Sequence, residues 1–287
     1  AVGGAEYDIL FGKVNPSAKL PETFPKQLED NPSYLAGFGE GDHVEYREGI
    51  FVGYRYYDKK KMDVLFPFGY GLSYTTFAYS NLRLDKKTMK DTEELTVSVD
   101  VTNTGDRTGK EVVQLYVADK ESTVIRPVKE LRDFVKIELA PGETKTVTFT
   151  LGKRAFAYYD VQIHDWQVET GEFEILIGAS SRDIALRDTV TVESTVKIPF
   201  HYTTDTTMGD IMSRPEAWKL VQSVLSKGMF GQGSEVNEGG DAAKEAISDE
   251  MNAAMLQYMP LRGPVSFGGG VSMADVQKLV DRLNAMG

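Results

Sequence analysis

The chain has 287 residues, which is enough for one large domain or two of ordinary size. Its net charge of −11 repels phosphate backbones, so the composition argues against nucleic-acid binding. The absence of cysteine excludes disulfides, thiolate catalysis and cysteine-based metal sites. No apolar run approaches the roughly 18 residues of a membrane span. The first residues lack the basic and apolar regions of a signal peptide, and we therefore expect a cytoplasmic location.

Residues 1–80, which we call the N-terminal segment, combine a short helix with irregular chain. The sequence AEYDILFG predicts a helix that ends at Gly12. Three closely spaced prolines, Pro21, Pro25 and Pro32, then indicate an extended surface segment. The segment is too short and too rich in proline to have a core of its own.

Aromatic and β-branched residues in EGIFVGYRYYD predict a strand near the end of this segment. Its alternate positions are apolar or aromatic on both faces: Ile50, Val52, Tyr54 and Tyr56 on one, and Phe51, Gly53, Arg55 and Tyr57 on the other. Such a strand belongs in a sheet that is covered on both sides. The sequence FPFGYGLSYTTF, which follows, predicts a tight bend that leads into a new strand.

Residues 81–196 contain about seven short β-rich runs separated by turn signals such as Asn103-Thr104-Gly105 and Pro141-Gly142. Leu95, Val97, Val99 and Val101 alternate with polar residues, as in a strand with one buried face. The pattern predicts an immunoglobulin-like or fibronectin type III-like antiparallel β-sandwich. Its predicted core contains Val97, Val99, Leu115, Phe149, Phe173 and Ile175.

Residues 197–287 form a small helical tail. Helical spacing predicts helices over residues 214–225, 248–259 and 272–287, the second with a loose capping box at Ser248. Val276, Leu279, Val280 and Leu283 share one face of the last helix. We expect these helices to have too little apolar surface to fold alone and to dock on another body.

Few residue patterns indicate catalysis. The three histidines, His43, His164 and His201, lie in unrelated segments, and the chain has no G-x-S-x-G motif. No metal-ligand spacing occurs, and residues 268–270 lack the Lys-Ser/Thr of a phosphate loop. We expect no cofactor and no metal.

Glu48, beside the aromatic run YREGIFVGYRYYD, is the acid of most interest. Aromatic rings stack on pyranose faces and charged groups bind hydroxyls, so this run suits a sugar site. The same composition also suits an ordinary domain interface, which composition alone favours. For Glu48 itself, a solvated or ion-paired residue at a strand edge is favoured over a substrate role.

Several long motifs in order resemble glycoside hydrolase family 3, whose members are mostly β-glucosidases. ILFGKVNPSAKLPETFP, YREGIFVGYRYYD and FPFGYGLSYTTF resemble the C-terminal part of the family's α/β sandwich domain. KELRDFVKIELAPGETKTVTFTL and WQVETGEFEILIGASSRDI resemble its fibronectin type III-like domain. The resemblance implies an α/β remnant over 1–80, the β-sandwich over 81–196 and a helical extension over 197–287.

The same resemblance places both catalytic carboxylates outside this chain. In the family the aspartate nucleophile lies in a (β/α)8 barrel, and the glutamate acid/base lies upstream in the α/β domain. The chain is then a non-catalytic portion of a retaining β-glycosidase that supports the catalytic domains or self-associates. Tyr46, Glu48, Tyr54 and Arg55 are the residues that the resemblance assigns to an outer subsite for a β-glucoside oligosaccharide.

Two alternatives remain open at this point. One is a stand-alone carbohydrate-binding module, which should present a planar row of aromatics. Only Trp166 and Trp218 are available as tryptophans. A structural interaction domain is the other alternative, and it is hard to separate from an enzyme portion that must dock.

Overall fold

A computed structural model describes residues 2–35, 42–161, 163–196, 198, 200–224, 249–266 and 271–286. The chain divides into two compact units, Ala1–Lys197 and Ile198–Gly287. The first unit contains the N-terminal segment and a β-sandwich, and the second is helical. Among the described helices, none is both long and apolar enough to cross a membrane.

The N-terminal segment contains little regular structure. Its elements are helix α1 (Val2–Leu10), strand β1 (Phe24–Pro25), helix α2 (Tyr54–Lys59) and strand β2 (Val64–Phe66). Helix α1 ends as predicted, because Gly12 takes a left-handed conformation with φ +71° that favours glycine. None of the residues in α1 is buried. Strands β1 and β2 pair antiparallel and hold residues 24–25 against residues 64–66.

The predicted strand over EGIFVGYRYYD is wrong. Residues 47–50 form a turn, and the aromatic run forms the helix α2. Gly53 ends the extended chain with φ +56°. Tyr54 and Tyr57 are then one helical turn apart, lie on the same side of α2 and are both buried. Aromatic residues fit either structure, so tertiary packing decided between them.

The sandwich confirms the predicted fold class. Its strands are β3 (Phe77–Leu84), β4 (Thr88–Lys90), β5 (Leu95–Asn103), β6 (Gly109–Asp119), β7 (Glu130–Leu139), β8 (Thr144–Leu151), β9 (Tyr158–Asp160), β10 (Asp165–Gln167), β11 (Gly171–Gly178) and β12 (Ile184–Glu193). One sheet has the order β4-β12-β11-β6-β7 and the other β3-β5-β8, while β9 and β10 form a hairpin. All seven predicted β-rich runs are strands, and the short strands β4, β9 and β10 were not predicted.

The sandwich core follows from the alternation in the sequence. In β5 every second residue is buried, and Val99 of β5 pairs in register with Val147 of β8. The six predicted core residues are each at most 1% exposed. Burying large apolar side chains at about 25 cal/mol per Å² is the main source of stability for such a core.

The five-stranded sheet is buried on both faces at β6. Val113, Leu115 and Val117 face the sandwich core, whereas Tyr116 and Ala118 belong to a second apolar cluster. That cluster contains Tyr54 of α2, so the N-terminal segment covers the outer face of this sheet. The segment therefore obtains from the sandwich the apolar contacts that it cannot make by itself.

The C-terminal unit contains helices α3 (Met208–Met212), α4 (Pro215–Val224), α5 (Asp249–Tyr258), α6 (Gly263–Ser266) and α7 (Met273–Asn284). Two helix starts carry capping boxes, Thr207 with Asp210 and Ser272 with Asp275. The predicted capping box at Ser248 lies outside the described residues.

The helices of this unit bury more apolar surface than expected, and whether the unit folds alone stays a prediction. The unit has a hydrophobic core that consists of Tyr202, Met208, Ile211, Ala217, Val221, Leu261, Val271, Val276, Leu279, Val280 and Leu283. The prediction counted only helix faces, whereas Tyr202, Leu261 and Val271 come from connecting segments. Whether the unit docks on another body stays a prediction.

Candidate functional site

The N-terminal segment and the start of β7 line an open cavity of about 700 Å³, which we call the outer cavity. Its wall comes from five stretches of the chain: the proline-rich segment, the turn before α2, α2 itself, the segment after β2 and the sandwich. The described lining residues are Pro21, Glu22, Thr23, Phe24, Pro25, Asn31, Pro32, Ser33, Glu48, Val52, Gly53, Tyr54, Arg55, Tyr57, Phe68 and Leu131. The wall thus combines apolar and aromatic surface with a few polar groups, as ligand sites commonly do.

Helix α2 fixes Tyr54 in this wall. The Tyr54 ring stacks on Phe68 with centroids 4.8 Å apart and meets Tyr116 edge-on at 6.1 Å. Its hydroxyl oxygen accepts a hydrogen bond from the backbone N–H of Leu131 at 2.8 Å. Burial raises the pKa of the Tyr54 phenol, so the group stays neutral. Tyr54 is a rigid connection between α2 and the sandwich.

Arg55 lies beside Tyr54, and the hydrogen-bond donors of its guanidinium are only partly satisfied. Its Nε lies 3.4 Å from Oε1 of Glu130 without forming a hydrogen bond, and about a third of the side chain is exposed. Glu130 also pairs with Arg132 at 2.6 Å and with Arg126 at 3.7 Å. One carboxylate therefore serves three guanidinium groups, and Arg55 retains donors for another acceptor.

Asp58 fastens the far end of α2 to the sandwich. Its carboxylate is 2.7 Å from Nζ of Lys129 and 3.0 Å from Nε of Arg182. Arg182 also donates to the backbone oxygen of Met62 at 2.8 Å. The Asp58 side chain is only 7% exposed, so solvent screens these pairs little. Buried pairs on α2 thus set the position of the cavity wall.

The structure brings three of the four predicted site residues together. Glu48, Tyr54 and Arg55 all line the outer cavity. Glu48 reaches it through a turn in which the N–H of Phe51 donates to the Glu48 carbonyl at 3.0 Å. Tyr46 is 84% exposed and is not among the described lining residues.

Several cavity residues escaped the sequence reasoning. Thr23 is 9% exposed, and its Oγ1 has no hydrogen-bond partner among the described residues. Leu131 comes from β7 and meets α2 across more than 70 residues of sequence, since its N–H donates to Tyr54. No spacing in the sequence signals such distant neighbours, and only the aromatic run itself pointed to the place.

This arrangement suits binding rather than bond cleavage. Aromatic surface, one guanidinium and the carboxylates of Glu22 and Glu48 can hold a hydroxylated ligand. Among the residues that the structure describes, no group of three or more His, Asp or Glu side chains could hold a metal ion. The two tryptophans do not form a binding platform either, because Trp166 packs on the sandwich core and Trp218 on the core of the C-terminal unit.

Comparison with known proteins assigns the two parts of the first unit. Residues 1–74 match the glycosyl hydrolase family 3 C-terminal domain, and residues 111–181 match the fibronectin type III-like domain. The chain belongs to glycoside hydrolase family 3. It corresponds to the C-terminal part of these enzymes.

Relatives extend well beyond the region that this chain matches. Thermostable beta-glucosidase B of Acetivibrio thermocellus is 52% identical over 99% of this chain, which spans 37% of that protein. An exo-alpha-(1->6)-L-arabinopyranosidase of Bifidobacterium breve is 45% identical over 80% of the chain and 30% of its own length. A crystal structure of a Bifidobacterium adolescentis family 3 beta-glucosidase gives a TM-score of 0.68 at 43% identity, over 76% of this chain and 32% of that one.

Proposed function

We propose that this chain acts as the non-catalytic C-terminal portion of a retaining β-glycosidase of the β-glucosidase type. The observation that carries the proposal is the 52% identity with beta-glucosidase B over 99% of this chain, in a region that spans only 37% of that protein. The resemblance stated above places the nucleophile and the acid/base in the remaining part. The role of this chain is then to support the catalytic domains.

An activity assay tests the first half of this proposal. Retaining glycosidases need two carboxyl groups about 5 Å apart, and such groups supply many orders of magnitude in rate. The chain alone should therefore hydrolyse nitrophenyl β-glucoside at the background rate. Turnover near one per second that survives repurification would contradict the assignment, since typical enzymes reach about 1–1000 per second.

The catalytic (β/α)8 barrel and the remainder of the α/β domain are the proposed partners. Helix α1 and the residue after it expose Val2, Leu10 and Phe11, each 71–74% accessible. Exposed apolar surface of this kind favours association. We expect the chain to bind the catalytic part or, without it, to self-associate. Size-exclusion chromatography with light scattering measures this, and a monodisperse monomer with a protease-resistant N-terminal segment would count against it.

The outer cavity is proposed as an outer subsite for the β-glucoside. Glu48 offers an acceptor and Arg55 a donor fork for sugar hydroxyls, beside the aromatic wall at Tyr54. Exposed Tyr46, outside the described wall, stays part of the prediction as a stacking group. An outer subsite affects long substrates more than short ones.

Variants of the complete enzyme separate this subsite role from a structural one. In Glu48→Gln and Arg55→Gln we expect KM for a glucose oligosaccharide to rise about tenfold, which is the loss of one charge-assisted hydrogen bond. The kcat for nitrophenyl β-glucoside should stay within about twofold, because that substrate has no outer sugar. Lys26→Gln, which removes an exposed ion pair with Asp63, is the matched control. Equal losses on both substrates would contradict the subsite.

A further inference from the structure

A second cavity of about 420 Å³ adjoins the outer cavity, because Leu131 lines both. We call it the basic cavity. Its wall comes from the start of β7, the end of β8 and the 3-10 turn Lys153–Ala155. The family resemblance assigns no role to this place.

The charge of this wall is opposite to that of the whole protein. Arg132, Lys153 and Arg154 line the cavity, and Thr150 adds a hydroxyl. None of the described lining residues is acidic, although the chain has 43 Asp and Glu against 32 Lys and Arg. A concentration of cations in an acidic protein creates a local potential that attracts anions.

Neighbouring carboxylates leave this positive charge only partly neutralised. Arg132 shares Glu130 with Arg55 and Arg126, and its Nε is buried without a hydrogen-bond partner. Burial lowers the pKa of Arg132; the carboxylate of Glu130 opposes this shift, and Arg126 and Arg55 add to it. Lys153 has its Nζ 4.0 Å from Asp165, which is too long for a hydrogen bond.

Arg154 is held in a geometry that suits anion binding. Its guanidinium lies over the Trp166 ring, 3.5 Å from the centroid. Stacking of this kind uses the face of the guanidinium and leaves its N–H edge available for a bidentate contact with an oxyanion. The indole also fixes the side chain, so less conformational entropy is lost when a ligand binds.

We propose that the basic cavity binds the carboxylate or phosphate group of a small solute. Arg154 and Lys153 supply the charge, Arg132 contributes from the cavity wall, and Thr150 can donate a hydrogen bond. The bound anionic group can belong to either of two ligands, an acidic sugar such as a uronic acid or a free inorganic oxyanion. The site does not depend on the outer subsite, which requires only neutral hydroxyls.

The fluorescence of Trp166 can report anion binding directly, because the guanidinium of Arg154 covers its ring. In the full chain carrying Trp218→Phe, Trp166 is the sole tryptophan. We expect glucuronate and inorganic phosphate, titrated at constant ionic strength, to change the Trp166 emission in a saturable way. Glucose should leave the emission unchanged. Tighter binding of glucuronate than of phosphate would assign an acidic sugar, and the reverse would assign a free oxyanion; both results uphold the anion site.

Charge variants test whether the signal comes from this cavity. Lys153→Gln should weaken anion binding about tenfold, the usual loss for one charge-assisted hydrogen bond. Arg154→Lys should weaken it by a similar factor, because the charge stays and the planar fork is lost. Lys110→Gln removes an equivalent exposed cation, paired with Glu138 on the same sandwich, and should have no effect. Absence of saturable binding, or equal affinity in Lys153→Gln and its parent, would overturn the proposal.

Discussion

Strand β5 buries every second side chain in the sandwich core, whereas helix α1 of the N-terminal segment buries none of its residues. The apolar side chains of the sandwich core pack against one another. The N-terminal segment relies on a few strong contacts with the outer face of one sheet, chiefly through Tyr54 and Asp58 of α2. The alternating buried residues of strands such as β5 therefore determine the fold. Contacts such as those of Tyr54 and Asp58 hold the wall of the outer cavity against that fold.

The largest effect is expected from Val99→Asp. Val99 is 0% exposed in β5, so the variant buries an unpaired carboxylate. We expect a loss of about 4 kcal/mol or more in the free energy of unfolding, enough to prevent folding of a marginally stable domain. Both the sandwich and the N-terminal segment should be lost in circular dichroism and proteolysis.

Thr148→Asp is the matched control for this variant, because Thr148 lies on the exposed face of the paired strand β8. It should change the free energy of unfolding by no more than about 0.5 kcal/mol. If Val99→Asp melted at the temperature of the parent chain, the register of β5 would be wrong.

Asp58→Asn should separate the two regions. The change removes the carboxylate that pairs with Lys129 and Arg182 and leaves both cations uncompensated. Breaking a buried pair in this way costs about 3–5 kcal/mol. We expect rapid proteolysis within residues 42–66 while the sandwich stays resistant. Asp63→Asn is the control, since its pair with Lys26 is exposed and worth about 0–1 kcal/mol.

Tyr54→Phe tests a single contact between the regions. The variant keeps the ring packing on Phe68 and removes the acceptor for the N–H of Leu131. We expect a cost of about 1–2 kcal/mol, measured by chemical denaturation, because one hydrogen bond is lost. Tyr46→Phe removes an exposed hydroxyl and should be neutral. Equal effects in the two variants would show that α2 is not held through Leu131.

The smallest effect is expected in the pH dependence of stability, through Asp100 of the three-stranded sheet. Hydrogen bonds from Arg83, Asn81 and Thr146 hold the pKa of Asp100 well below its usual value. A carboxyl with a lowered folded-state pKa stabilises the protein above its unfolded pKa of about 3.9 and loses this contribution as pH falls below that value. Melting temperatures between pH 6 and 2 should therefore fall less steeply in Asp100→Asn than in the parent. Parallel curves would show that Asp100 does not contribute.

The sequence predicted the sandwich well because its alternation is local. The alternation from Leu95 to Val101 predicts a strand without reference to any distant residue. All six residues predicted for the core are buried. The region around α2 failed because its aromatic residues fit two periods, and contacts with Phe68 and Tyr116 decided between them. The family resemblance pointed to Glu48, Tyr54 and Arg55, which line the outer cavity, but Thr23 and Leu131 come from distant segments and carry no local signal.

Among the described residues, the core of the C-terminal unit comes entirely from residues between Tyr202 and Leu283, and none of them belongs to the core of the sandwich. The division between residues 197 and 198 therefore separates two hydrophobic cores. Recombination near residue 197 can add, remove or exchange this unit as a cassette without opening the core of its neighbour. The same junction is the natural place to append a foreign domain to the protein.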